Sequence, residues 1–327
     1  MSKSPDVQTI MLNSDNLNVT SLEIGKSTPY LGMHLFHTNS LKELIKFNLN
    51  KRMYNVAKFK SWLDVNKNTP FSIKMLVLDN CVLNSIIYGY EAWGDLSSVS
   101  KRLQTIELDL LKSVLGVKKS TPNNLVYHEM NRGSIVPKLM DRQKIFIEKI
   151  CNLGENEALV KDVWNRCEHL DIYNYYTSLS DNNYENDKLQ RTRLLNTSEK
   201  SMDVRYRDKI GLLEKHCIYD SGVIDSCRTI ISRWRLSSFE LAIETGRHKR
   251  PIIERNMRLC KTCLVMEDEE HVLLTCPLYD TIRINNPNIF REQTSVKMIL
   301  NPRTIDSLYK TANILFQIEK IHSKFNK

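Results

Sequence analysis

The chain has 327 residues, 41% of them hydrophobic and 26% charged, with a formal net charge of +9 and a pI near 9.0. That apolar share supports a packed core and argues against a disordered chain, and the length suits one large domain or two ordinary ones. The basic balance suits a polyanionic partner, while no window reaches the roughly 18 consecutive apolar residues that would span a membrane. The opening residues, MSKSPDVQTIMLNSDN, lack the apolar run of a secretory signal, so an intracellular protein is expected. Its eight cysteines then point to metal binding or burial rather than disulfides.

Glycine is scarce, at 10 residues, and long stretches are periodic, so a mainly α fold is expected. Tyr30, Leu31, Met33, Leu35 and Phe36, with Gly32 permitting a bend, predict a short strand or hairpin edge. From Leu41 to Leu63 apolar residues recur at helical spacing (Leu44, Ile45, Leu49, Met53, Val56, Phe59). The opposite face carries Lys42, Lys46, Lys51, Arg52, Lys58 and Lys60 against Glu43. Thr69 and Pro70 mark the start of a second helix. It is predicted to run to about Trp93 and to be buried, because it is apolar nearly all round. A third helix is expected over 97–115, with Gly116 as its C-terminal cap. Thr121-Pro122 starts a fourth, and Pro137 a fifth that runs to about Asn152.

Residues 171–187 lose the period and read as a boundary loop. Helical character returns near 201, and Val223 to Glu244 reads as one strong helical stretch stopped by Gly246. A last helix is expected over 303–323. Trp62, Trp93 and Trp234 read as core residues in preference to base-stacking platforms. His34 and His37 have no cysteine or carboxylate beside them and read as ordinary surface or core histidines. No phosphate loop, dinucleotide fingerprint or nucleophile elbow occurs.

The strongest local pattern is CKTCLVMEDEEHVLLTC, residues 260–276, with C-x2-C-x7-H-x4-C spacing. Two cysteines separated by two residues can face one ion from a tight turn, and His271 and Cys276 close a tetrahedral shell around Cys260 and Cys263. Three thiolates and one imidazole suit Zn²⁺ and leave no open position, so a structural site is expected. Three thiolates on one Zn²⁺ leave a charge of about −1, and Glu267, Asp268, Glu269 and Glu270 add to it. The knuckle loop is therefore expected to be acidic and a poor grip for phosphate. The basic residues precede it: Arg247, Lys249, Arg250, Arg255, Arg258 and Lys261, against Glu254.

Several residues together then resemble one family. RWRLSSFELAIETGRHKR, followed by RLCKTCLVMEDEEHVLLTCPLYDTIR, is similar to the C-terminal cysteine–histidine segment of LINE-type (non-long-terminal-repeat) retrotransposon reverse transcriptases. The likeness rests on Gly246, Arg247, the four ligand candidates, Glu267, Asp268, Glu269, Pro277, Tyr279 and Arg283. PYLGMHL resembles that family's primer-grip element, which implies nucleic-acid contact at Tyr30 and Gly32. SIIYGYEAWG and LDLLKSVLGVKKSTPNNLVYHEM look like the helical thumb and the region beyond it.

The resemblance implies a remnant of the palm end over 1–40 and a thumb-like helical bundle with its connecting region over 41–170. A linker over 171–200 and a helical C-terminal domain with the zinc knuckle over 201–327 would follow. It implies a nucleic-acid partner, RNA or an RNA–DNA duplex, and docking to the palm and fingers of a reverse transcriptase. A nuclear location follows by family analogy only. The expected contacts are Lys42, Lys46, Lys51, Arg52, Lys58 and Lys60, with Arg247, Lys249, Arg250 and Arg258. One departure matters: no adjacent Asp pair occurs in these residues, and two-metal polymerisation needs carboxylates to hold its ions. The chain is therefore expected to bind nucleic acid without polymerising by itself. The alternatives are a helical protein-interaction module or a fragment without retained function.

Overall fold

The computed structural model describes residues 28–30, 33–35, 41–90, 97–153, 162, 184–211, 216–219, 222–291 and 294–325. It is mainly helical. Strands β1 (Thr28–Tyr30) and β2 (Met33–Leu35) form an antiparallel hairpin in which Thr28 faces Leu35. Asn48 fixes that hairpin to helix α1 (Leu41–Val65): its Oδ1 accepts from the His34 N–H at 2.7 Å and its Nδ2 donates to the His34 carbonyl at 2.8 Å.

Pro70 stands just before α2 (Phe71–Val77), which continues through a π-helical turn (Leu78–Leu83) into α3 (Asn84–Ile87). The run ends at Ile87 rather than near Trp93, because Gly89 turns the chain at φ +77°; Trp93 lies outside the described residues. Nor is it buried all round. Ile73 is 43% and Leu76 57% exposed.

Helix α4 (Ser97–Leu115) stops as expected at Gly116. The Gly116 N–H donates to the Ser113 carbonyl and the Val117 N–H to the Lys112 carbonyl, closing the helix with φ +70° at Gly116. A side chain there would meet Thr229 Cγ2 at 2.5 Å, so the glycine also permits close packing. Helix α5 covers Asn123–Glu129 and α6 covers Ile135–Cys151. The second begins two residues before Pro137, because the buried Glu107 carboxylate accepts the Ile135 N–H at 2.9 Å.

Helix α7 (Tyr184–Thr197) lies within the expected linker, most of whose loop is outside the described residues. Helix α8 covers Ser201–Ile210. The stretch expected as one helix from Val223 to Glu244 divides into α9 (Asp225–Arg235) and the short α10 (Ala242–Thr245). The break has a packing cause: Ser237 takes φ +50°, and Phe239 folds back to stack on Trp234 with ring centroids 4.9 Å apart. Trp234 is thereby fully buried, as a core residue. Helices α11 (Asp280–Ile284), α12 (Val296–Leu300) and α13 (Ile305–Phe325) complete the fold, with α13 packed along α9.

The two halves meet through buried charge. Lys74 on α2 bonds Asp225 on α9 at 2.5 Å, and Arg228 donates to the Val114 carbonyl at 2.9 Å. Also buried is Glu129, at the end of α5, against Arg235 of α9. The Arg235 Nε donates to Oε1 at 2.5 Å and Nη2 to Oε2 at 3.2 Å. Tyr219 and Tyr206 donate to the same carboxylate at 2.8 and 2.5 Å. Burial alone would raise the Glu129 carboxyl. The Arg235 charge and these hydrogen bonds outweigh it and hold the pKa below its ordinary value.

Because the folded pKa is depressed, the pair's stability is present above the ordinary carboxylate range and is lost as the pH falls below it. Glu129→Ala leaves Arg235 buried and unpaired, and is expected to cost about 3–5 kcal/mol. Urea unfolding monitored by circular dichroism measures it; an unchanged midpoint would contradict the role given to the pair.

Candidate metal centre

The metal-spacing segment folds as a tight turn and a short helical return. Leu259 and Met266 form an antiparallel bridge, the Cys260 N–H donates to the Val265 carbonyl at 2.7 Å, and the Leu264 N–H to the Cys260 carbonyl at 2.9 Å. Leu264 takes φ +58°, a conformation that costs about 1–2 kcal/mol for a non-glycine residue. The turn aims Cys260 and Cys263 at the same point. A π-helical turn, His271–Thr275, brings back His271 and Cys276.

The four ligand atoms all lie within 4.8 Å of one another. The Cys276 sulfur is 3.9 Å from that of Cys260 and 3.6 Å from that of Cys263. A tetrahedron with metal–sulfur bonds of about 2.3 Å has edges of about 3.8 Å, so the spacing fits one ion.

The imidazole gives an independent test. Thr275 donates its hydroxyl proton to the His271 carbonyl at 3.2 Å and lies 3.1 Å from His271 Nδ1. With its proton on that carbonyl the hydroxyl can accept from an Nδ1–H, the tautomer that leaves the Nε2 lone pair free. Nε2 is buried and has no hydrogen-bond partner. A lone pair held by a partner on the opposite ring nitrogen is the arrangement of a metal-bound histidine. Burial lowers the His271 pKa and pushes the Cys276 thiol up to about 12; a bound cation reverses the second effect by favouring thiolate. Cys260, Cys263, His271 and Cys276 can thus hold one metal ion.

The acids of the loop differ from expectation. Glu267 and Glu269 are buried and face inward. Glu269 takes Lys209 at 2.7 Å, Arg205 at 2.5 Å and the Ser237 hydroxyl at 2.8 Å. Glu267 accepts the Ala242 N–H at 2.6 Å and faces His322 at 3.3 Å. Asp268 accepts the His271 N–H at 2.9 Å. The motif that reads as a solvated acidic patch is a set of braces, and only Glu270 of the four is exposed. Arg283 closes the far side, donating to the carbonyls of Cys276, Leu273 and Val272. Thr275 is the functional residue that sequence spacing did not single out; its signal is its position four residues after His271, on the same face of a helical turn.

The other expected contact residues do not all reach solvent. Lys46, Lys51 and Lys58 are exposed on α1. Arg52 is not: it is 8% exposed, donates to the Ile86 carbonyl at 3.0 Å and lies over the Tyr90 ring. Its place in the helical stripe with Ile45, Leu49 and Val56 turns it inward, which removes it from the phosphate-facing set. Lys60 is half-buried against Asp109. Arg258 is also an internal brace, donating to the carbonyls of Ile253 and Ile243 at 3.0 and 2.9 Å, with its stem against Gly246. Arg247 pairs with Glu244 at 2.9 Å, while Lys249 and Arg250 are exposed. Tyr30 lies in β1; its side chain and that of Lys42, together with Gly32 and His37, are outside what is described. Among the described residues no helix is long and apolar enough to cross a membrane. No family model, curated protein or solved structure matches the chain.

Two outcomes test the centre. Elemental analysis of the purified chain is expected to find about one metal ion per molecule, lost in Cys276→Ser. Thr275→Val is expected to weaken metal affinity roughly 10–100-fold while Thr275→Ser keeps it; equal affinity in all three proteins would show that Thr275 does not orient His271.

Proposed function

We propose that the chain is a nucleic-acid-binding protein that grips the backbone of RNA or an RNA–DNA duplex and uses a structural Zn²⁺ to hold its C-terminal part. The observation that carries this reading is the exposed face of α1. Lys51 lies over the Phe47 ring at 5.4 Å and Lys58 over the Tyr54 ring at 4.5 Å. Phe47, Lys51, Tyr54 and Lys58 follow one another at spacings of four, three and four, so they make a single stripe. Tyr54 is 63% exposed, and no acidic residue occurs between Lys46 and Ser61. Cations interleaved with one exposed and one half-buried ring suit backbone phosphates beside unpaired bases.

Zinc is favoured by the donor set, since three thiolates and an imidazole in a closed tetrahedron are its usual structural shell. Lys249, Arg250, Arg255 and Lys261 are exposed just before and within the metal loop, so the metal fixes the base of a second basic segment. The resemblance to the C-terminal part of LINE-type reverse transcriptases agrees with a thumb-like role for α1. The lack of an Asp pair agrees with binding without catalysis. A second reading has its own support: Ile73 and Leu76, three residues apart on α2, expose an apolar face that fits a protein partner such as the palm of a reverse transcriptase.

Binding to an RNA–DNA duplex, measured by fluorescence anisotropy, is expected to weaken linearly in log–log form with salt, by about 0.9 log unit per phosphate contact. Lys51→Ala and Lys58→Ala are each expected to reduce that slope by about 1. Salt-independent binding, or none, would refute the reading, and primer extension by the purified chain would refute its non-catalytic part.

A further inference from the structure

A pocket of about 220 Å³ lies where the connection between α4 and α5 meets the segment after α10. Thr121 forms part of its wall, is 3% exposed, and has a hydroxyl with no hydrogen-bond partner. A buried hydroxyl in that state calls for a ligand or an explanation. The same pocket is lined by Lys118 from one side and by Arg247, His248 and Lys249 from the other. One acid, Glu244, joins the lining, but Arg205 and Arg247 already balance it at 2.5 and 2.9 Å. Lys118 makes a surface contact with Glu240 at 3.2 Å, with both side chains well exposed, and water-screened pairs of this kind exchange easily.

We propose that this pocket binds a phosphate group. The donors come from two separate chain segments, Lys118 and Thr121 on one and His248 and Lys249 on the other. That arrangement suits a tetrahedral oxyanion, which offers acceptors on several sides, and the charges of Lys118 and Lys249 compensate its own. The Thr121 hydroxyl supplies the buried hydrogen bond that no protein atom takes. The phosphate has two possible sources, a nucleic-acid backbone or free inorganic phosphate, and the pocket chemistry is the same for both. The site involves neither the metal ligands nor the α1 stripe.

Isothermal titration calorimetry on the full chain at fixed ionic strength tests it, with inorganic phosphate in one arm and a single-stranded RNA of about twelve nucleotides in the other. Saturable one-site binding of inorganic phosphate is expected. Thr121→Val and Lys249→Ala should each weaken it about tenfold, Thr121→Ser should preserve it, and circular dichroism should stay unchanged. If Thr121→Val does not fold, the exposed Lys249→Ala decides. Loss of RNA affinity in the same variants identifies a backbone phosphate as the occupant. Phosphate binding without RNA binding identifies free phosphate as the occupant and leaves the duplex measurement to decide the nucleic-acid reading. RNA binding with no saturable phosphate binding, or with both variants unaffected in both arms, overturns the pocket and leaves the nucleic-acid reading standing.

Discussion

Arg235 is almost wholly removed from water and is answered by Glu129, 106 positions earlier in the chain. Its Nη1 also donates to the Leu300 carbonyl at 3.0 Å and to Asn301 at 2.5 Å. Around one ion pair this gathers the end of α5, the middle of α8 through Tyr206, the turn holding Tyr219, the end of α9 and the end of α12. The metal loop inherits its position from this knot. Helix α8 faces two ways: Tyr206 reaches Glu129, while Arg205 and Lys209, four residues apart on one face, reach Glu269 beside the candidate ligand His271. The loop is thus tied to the same helix that the buried pair fixes.

Burying so many charges needs justification, because an ion pair rarely repays its own desolvation. What it supplies is a condition on geometry. Each Glu129 oxygen receives one guanidinium and one tyrosine donor, so a shifted helix would strand several groups at once. The 260–276 segment has a different problem. Its turns are short and bury few large side chains, chiefly Val272 and Leu273. A metal ion held by Cys260, Cys263, His271 and Cys276 would supply there the cohesion that a larger apolar core supplies elsewhere.

The α1, α4 and α13 helices were legible because their apolar stripes are long, and the metal cluster because four ligands at close spacing have few other uses. The break between α9 and α10 was not. No glycine or proline marks Leu236–Leu241; a serine takes the left-handed conformation so that Phe239 can stack on Trp234, and tertiary packing overrides local propensity there. Leu264 hides the metal turn's left-handed residue in the same way. Arg52 is more instructive. The helical phase places it in the stripe of Ile45, Leu49, Val56 and Phe59, yet its charge suggests the surface; phase decides, because the side chain finds a carbonyl and a ring inside. The roles of Glu267 and Glu269 were illegible for a further reason: among 47 basic and 38 acidic residues, nothing local says which charges meet.

Sorting those charges by burial shows where the net charge lies. Among the described residues the buried cations are Arg52, Lys74, Lys112, Lys209, Arg228 and Arg235, and the buried acids are Glu107, Glu129, Asp203, Asp225, Glu244, Glu267 and Glu269. Six cations against seven acids leave that set slightly negative. The formal surplus of +9 is therefore not found among these buried residues. Part of it stands on the exposed face of α1 and along Lys249–Lys261, where solvent-facing charge acts over about a Debye length and is sensitive to salt. Internal pairing removes cations and acids in nearly equal number, so the surplus stays with the residues outside this buried set.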